Sequence, residues 1–463
     1  MRTLAQILFG LALLTPRLNS AIPFTNLLIE IERDISLTNY VSKDNVAALR
    51  QAANQGDSLA QMNLGVCYLT GAAMEKNAQE AMRWFRKSAA QGNASAQVNI
   101  GTMFYRALGV PQDYKEAVAW YEKAAANNSP AAFYTLGLCF HYGHGVKQDY
   151  EQAQRNIREA SKRGYPKAKW FIGYCYANGE GLPEDIPKGM RWFHEAAADG
   201  EPVAQFTLSV DYGWGIGISP SASNSVYWLQ KADHQNLPEA QFMLSMRHLT
   251  GKGVSSNAPL AFMLCKKAAE AGLVDAQAML GTMLFEGRGT ARDQATALEW
   301  YRRAAAQGNA EAQSMLGFCH LNGTGLRQNS KEGVRLFRLA AEQGFVMAEA
   351  NLGISYLSGN GVEQNLTEAV NWLKRAAEHG DADSQFNLGV CYLNAEGGKK
   401  DQAEAFKWFS LAAARGNRFA VQNRLLLSEQ MTKGEFQDGI NRYKTFKPKP
   451  TSVRSSESWI PLY

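Results

Sequence analysis

Apolar and small residues recur along most of this chain at three- and four-residue spacing, the mark of one buried helix face. Two such runs alternate. The first opens A-x-A-Q-x-x-L-G-x-x-Y, as in AEAQSMLGFCH from Ala310, and the second reads A-x-x-W-x-x-x-A-A. A G-x-G loop lies between them, as in Gly143–Gly145, Gly179–Gly181, Gly287–Gly289 and Gly323–Gly325. Glycine there supplies the positive φ that ends a helix and reverses the chain. The predicted unit is therefore a helix hairpin.

The unit repeats every 36 residues. A small residue returns at Gly65, Gly101, Gly137, Gly173, Ser209, Ser245, Gly281, Gly317, Gly353 and Gly389, each time after an aliphatic residue. We count positions from this residue, as position 0. Such a period implies stacked repeats, each packed only on its neighbours. A glycine inside a helix costs about 1 kcal/mol relative to alanine, so eight of them forfeit roughly 8 kcal/mol. That cost is tolerable if the missing side chain lets the partner helix approach closely.

Helix ends are encoded as well. Asn77, Asp113, Asp149, Asp185, Ser221, Asn257, Asp293, Asn329, Asn365 and Asp401 precede the second helices, and every one is a favoured N-cap. Asp113 with Glu116 and Asn365 with Glu368 have capping-box spacing. Eight second helices close on glycine, while Asn128 and Asn236 take that place in the other two. Asp57, Asn93, Ser129, Asn309 and Asp381 are cap candidates for first helices, and Pro130, Pro166, Pro202 and Pro238 suit the first helical position. Seven of the ten tryptophans, Trp84, Trp120, Trp192, Trp228, Trp300, Trp372 and Trp408, share one register, which reads as core.

The assembled pattern, A-x-A-Q-x-x-L-G-x-x-Y-x-x-G-x-G-V…D-x-x-x-A-x-x-W-x-x-x-A-A-x-x-G, resembles the Sel-1-like repeat family, relatives of the tetratricopeptide repeats, over about residues 58–417. The resemblance implies an all-α fold, a right-handed α/α superhelical solenoid of about ten helix hairpins. First helices would line a concave face and second helices a convex one. It also implies an adaptor or scaffold for protein complexes. One branch of the family carries two disulfide-bonded cysteines per repeat and is associated with β-lactam binding. This chain has at most one cysteine per repeat and no S-x-x-K, so that branch fits poorly.

The ends differ from the body. Arg2, the apolar stretch from Leu4 to Leu14 and the small Ser20 and Ala21 have the layout of a secretory signal over residues 1–21; the alternative is a short hydrophobic capping helix. Residues 22–57 read as an N-terminal cap and half repeat, 418–447 as capping helices, and 448–463 as a Pro- and Ser-rich disordered tail. Export permits disulfides. Yet Cys67, Cys139, Cys175, Cys319 and Cys391 share position +2, where equivalent atoms stack about 9–10 Å apart. A disulfide needs Cα atoms within about 7 Å. All six cysteines, including Cys265 in a register of its own, are therefore expected to be buried thiols.

Formal net charge is +5, too mild to argue for nucleic acid, and the body holds no apolar stretch long enough to span a membrane. Neither C-x-x-C, H-E-x-x-H nor G-x-x-x-x-G-K is present, so no metal, cofactor or catalytic set is expected. His141, His144, His248 and His320 read as stacked surface histidines. Sequons occur at Asn93, Asn127, Asn322 and Asn365, two of them predicted caps.

Two features suggest a binding site. Position −3 runs Tyr134, Trp170, Phe206 and Phe242, which reads either as an aromatic strip along the concave face or as packing between repeats. Asp211 and then Arg247 stand where other repeats carry Cys or Met, with Tyr212 and His248 beside them. They read either as a compensating ion pair or as a polar patch that reads a ligand. The expected function is a non-enzymatic scaffold, exported to a periplasm or secreted, that binds a peptide or protein segment. Open alternatives are a cell-wall or β-lactam hydrolase, an envelope polysaccharide-assembly scaffold, and an adaptor of the ER lumen.

Overall fold

The computed structural model describes residues 43–450. The expected signal, most of the N-terminal cap and the residues after Pro450 lie outside that span. Every regular element among the described residues is an α-helix. Helix α1 (Lys43–Asn54) is the half repeat, twenty helices α2–α21 form ten hairpins, and α22 (Arg418–Gln430) and α23 (Lys433–Thr445) follow. Even numbers mark first helices and odd numbers second helices. The hairpins fall into two compact units, one ending at Leu237 and one beginning at Pro238.

All ten expected caps of the second helices hold, each side chain accepting a backbone N–H of the first turn. The reciprocal capping-box bonds expected at Asp113 and Asn365 do not form, because their N–H groups donate to the Phe104 and Tyr356 carbonyls; Glu116 accepts from the Trp120 indole at 3.0 Å. Asn128 and Asn236 have φ of 58° and 59°, the conformation that glycine adopts at the other eight closures.

Position 0 is a socket. A methyl group built on Gly101 would stand 2.5 Å from the Tyr121 ring, on Gly65 2.6 Å from Phe85, and on Gly317 2.8 Å from Phe337. The incoming side chain stands twenty residues later, and its neighbour sixteen residues after the socket is always small (Ala81, Ala117, Gly333 and their equivalents). Two repeats vary the theme. Ser209 and Ser245 are fully buried, the Ser225 hydroxyl donates to the Ser209 carbonyl at 2.6 Å, and the Ser245 hydroxyl donates to the Ala261 carbonyl at 2.7 Å. Opposite Ser245 the ring is replaced by Cys265, which explains that cysteine's separate register. All six cysteines are buried thiols; burial pushes Cys139, Cys175 and Cys265 up to about 12.

The glutamine at position −4 is a clamp whose role the sequence motif does not reveal. Its amide donates to a carbonyl near the end of the preceding second helix, as Gln61 does to Ala53 at 3.0 Å and Gln385 to Ala377 at 3.0 Å. Its oxygen accepts from an amide that ends the following second helix, as in Gln91 to Gln61, Asn127 to Gln97, Gln235 to Gln205, Gln307 to Gln277 and Gln343 to Gln313, all at 2.8–3.0 Å. Three repeats that lack this amide pair, the third, fourth and ninth, substitute another attraction. Arg163 lies over the Phe133 ring at 4.6 Å, and Lys169 meets Asp199 at 2.6 Å. In the ninth repeat the residue is Glu349, which is fully buried and cannot donate. Arg375 meets its carboxylate at 2.9 Å and also reaches the Ala341 carbonyl that a glutamine would have served.

The tryptophan register is core-facing but capped by cations. Lys87 over Trp84, Lys123 over Trp120, Arg303 over Trp300 and Arg375 over Trp372 lie 4.0–4.5 Å from the rings.

Gly317→Leu has no room between the Phe337 ring and the Gly333 carbonyl, and should cost about 3 kcal/mol by thermal unfolding. Gly308→Ala meets open space and should lose only about 1–2 kcal/mol, through its left-handed backbone. At Glu349, burial raises the carboxyl above its ordinary value while Arg375 opposes the shift. The folded state thus holds the proton more tightly than the unfolded chain. Stability from this site is greatest below the unfolded pKa and falls as pH rises through the folded one. Arg375→Ala should cost about 1–3 kcal/mol at pH 7, the lower end reflecting the arginine's exposure, and much less when combined with Glu349→Gln. Equal costs in both backgrounds would show that the pair does not interact.

Candidate functional site

In the first unit, Tyr134, Trp170 and Phe206 are buried, at 0, 5 and 7% exposure. The Trp170 indole donates to Thr207 of the next first helix at 3.0 Å, and Tyr134 meets Phe171 edge-on. Position −3 therefore lies in the seam between successive first helices, and the rings are occupied by packing. Phe242 of the second unit is fully buried as well. None of the four offers its ring to a partner in this state.

The polar positions differ in exposure. Asp211 is buried, and desolvation holds its carboxyl well above the usual range, which favours the neutral acid. Arg247 is buried too, and burial lowers its guanidinium. His248 is partly exposed, with Nδ1 3.0 Å from the Ser255 carbonyl.

Two other histidines form a polar seam in the first unit. His141 is buried, contrary to the surface reading, with Nε2 3.4 Å from Glu180. That hydrogen bond is the main cause holding the Glu180 carboxyl below its ordinary value. His144 accepts or donates at 2.6 Å with the Tyr105 hydroxyl and stacks on Tyr114 at 4.7 Å, and burial lowers its pKa. Both contacts tie a first helix to the loop of the next repeat. Among the described residues, no group of three His, Cys, Asp or Glu side chains could hold a metal ion.

The accessible apolar surface lies in the second unit, at position +1 of the first helices. In the first unit Val66, Thr102, Leu138 and Val210 are buried at this position and Tyr174 is partly buried, and Met246 at the start of the second unit is buried as well. In the second unit Phe318 is 43% exposed on α16 (Ala310–Asn322) and Ile354 42% on α18 (Val346–Ser358). Val390 on α20 (Ala382–Asn394) is half-buried, and Leu426 on α22 is exposed. Met347 and Phe419 stand out from the starts of α18 and α22, with the Phe419 ring 6.1 Å from Phe386.

Position −3 carries Ala278, Ser314 and Ala350 in the seventh to ninth repeats, where the third to sixth carry rings. The exposed Phe318 and Ile354 coincide with these small seam residues. The sequence signal is the loss of the aromatic run together with the arrival of Phe318 and Ile354.

The Sel1 repeat model matches ten segments: residues 58–93, 94–129, 130–165, 166–201, 202–232, 238–273, 274–309, 310–345, 346–381 and 382–417. Among solved structures, the chain is similar to c5321, a protective antigen of uropathogenic Escherichia coli strains with an SLR fold. Identity is 30%, coverage 90% of this chain and 96% of that one, and the TM-score 0.48. It is also similar to a Sel1 repeat protein from Oxalobacter formigenes, at 31% identity over 50% of this chain and 94% of that one, with a TM-score of 0.43. An immunity protein of Pseudomonas aeruginosa, Pa5087, matches at 20% identity over 44% and 83%, with a TM-score of 0.35. No curated protein matches this sequence. Ten consecutive matches, each on one socketed and capped hairpin, establish that the chain belongs to the Sel1 repeat family.

Proposed function

We propose that this protein is a non-enzymatic scaffold that binds a peptide or protein segment along the first-helix face of its second unit. Sel1 repeats generally form non-catalytic scaffolds that mediate protein–protein interaction. The observation that carries the finer reading is the stripe of Phe318, Ile354, Val390 and Leu426, one residue per repeat on four successive first helices. Contiguous exposed apolar side chains on a soluble protein mark interaction surfaces. Aromatic and aliphatic anchors at repeat spacing suit an extended segment that meets one anchor per unit. The buried rings of the earlier repeats enter this reading as packing that stiffens the first-helix face.

We further propose that the protein acts outside the cytoplasm. Supporting this are the charged, apolar and small-residue order of residues 1–21 and, among the described residues, the lack of any helix long and apolar enough to cross a membrane.

The test is capture of partners from the producing cells by the immobilised protein, followed by affinity measurement with the main partner. Phe318→Asp combined with Ile354→Asp should weaken binding at least tenfold with little change in melting temperature, because both side chains are already near half exposed. Leu339→Asp, on the second helix α17 (Ser330–Glu342), should bind as the parent does. Equal binding by all three proteins would remove this face from the interaction.

A further inference from the structure

Helix α22 has the cap and the buried registers of a first helix. Asn417 caps it by accepting the Ala420 N–H at 2.9 Å, and its amide donates to Asp383 at 2.9 Å. Asn309 does the same in the eighth repeat, capping Ala312 and donating to Asp275. Ala420 and Leu427 are buried in the registers that first helices bury against the preceding second helix.

The following helix does not complete the hairpin. In the eighth repeat, seven residues (323–329) join the two helices, whereas α22 and α23 are joined by Met431 and Thr432 alone. Helix α23 packs instead on α21 (Gln402–Ala414). Phe436 meets Phe406 at 5.1 Å, a side chain at Gly439 would strike that ring at 2.9 Å, and Arg442 pairs with Asp401 and Glu404 at 2.8 and 3.0 Å. The side of α22 that faces a second helix in all ten repeats is consequently open. Val421, at position −4, is 39% exposed, and Leu425, at position 0, is 54% exposed. Their equivalents one repeat earlier, Gln385 and Gly389, are buried.

We propose that this side of α22 docks an amphipathic helix from a partner protein, seated where a second helix sits in each repeat. Three features define the partner. The contact continues the first-helix to second-helix interface repeated throughout the chain, so its occupant is a helix. Leu425 fills the socket that glycine or serine leaves open elsewhere, so the occupant must present small residues there rather than a ring. Val421 replaces the clamping glutamine, so no amide is required. The rim is cationic, with Arg418, Arg424 and Lys433 against Glu429, and calls for acidic flanks.

The probe is a fluorescein-labelled helical peptide of sixteen residues with alanine along one face and glutamate on both flanks, followed by anisotropy. A companion peptide carries phenylalanine at the central alanine, and another carries lysine for glutamate. The full chain should bind the first peptide at least tenfold more tightly than either companion. Val421→Asp with Leu425→Asp should abolish this, at an unchanged melting temperature, since both side chains are exposed. Phe318→Asp with Ile354→Asp should leave it intact, which separates this site from the strip proposed above. Three results would overturn the proposal: peptide binding indifferent to the Val421 and Leu425 changes, self-association through this face, or binding that appears only after residues 451–463 are removed.

Discussion

The close approach of two helices at position 0 is the contact on which each repeat depends. A Cβ on Gly65, Gly101 or Gly389 would sit 2.5–2.7 Å from a ring atom of the second helix, well inside van der Waals contact. The helix thus accepts glycine's conformational cost so that a phenylalanine or tyrosine can lie on its backbone. Burying such a ring contributes about 1.5–3 kcal/mol, which exceeds the roughly 1 kcal/mol forfeited by glycine. The balance is local to one hairpin, which is why it can be repeated ten times without a central core. The serine sockets obey the same constraint: Ser245 donates to the Ala261 carbonyl and faces a cysteine instead of a ring, and the Ser209 carbonyl accepts from Ser225 of the second helix.

The clamp at position −4 joins one hairpin to the next, and it tolerates wide chemical change. An amide pair, an arginine over a ring, a lysine–aspartate pair and a glutamate bridged by arginine all span the same gap. What persists is complementarity. Each variant sets an attractive partner across a gap that lies beside the carbonyl end of a helix, where an unmatched polar group is costly. Arg375 shows the logic most plainly, because it supplies both the countercharge for Glu349 and the donor that a carboxylate lacks.

Binding capacity arises where this regularity relaxes. Large side chains close the seams between first helices in the earlier repeats. Phe318 and Ile354 stand out where the seventh to ninth repeats carry small ones, and the displaced final helix leaves Val421 and Leu425 bare. The start of the C-terminal segment, expected to be disordered, is tied down instead. The Lys449 N–H donates to the Glu378 carbonyl at 2.9 Å and its ammonium meets the Glu378 carboxylate at 2.6 Å, while Phe446 packs on Trp408.

Hairpin number, helix ends, socket positions and the burial of every thiol could all be read from the chain, because each depends on residues within one turn or at a fixed spacing. Asp113 caps its helix whatever lies beyond, and a glycine or serine at every thirty-sixth position announces close contact with something. The identity of the exposed face could not be read in the same way. Tyr134 and Phe318 are both aromatic residues on first helices, yet one is sealed and the other stands in water. Their registers differ, −3 against +1, and even within position +1 exposure runs from buried Leu138 to exposed Phe318, a difference that arises only in the stack. Likewise Leu425 keeps the phase of a core residue and is left bare because α23 finds better partners on α21. Periodicity along one helix specifies which side turns inward; only the stacked helices decide whether anything is there to meet it.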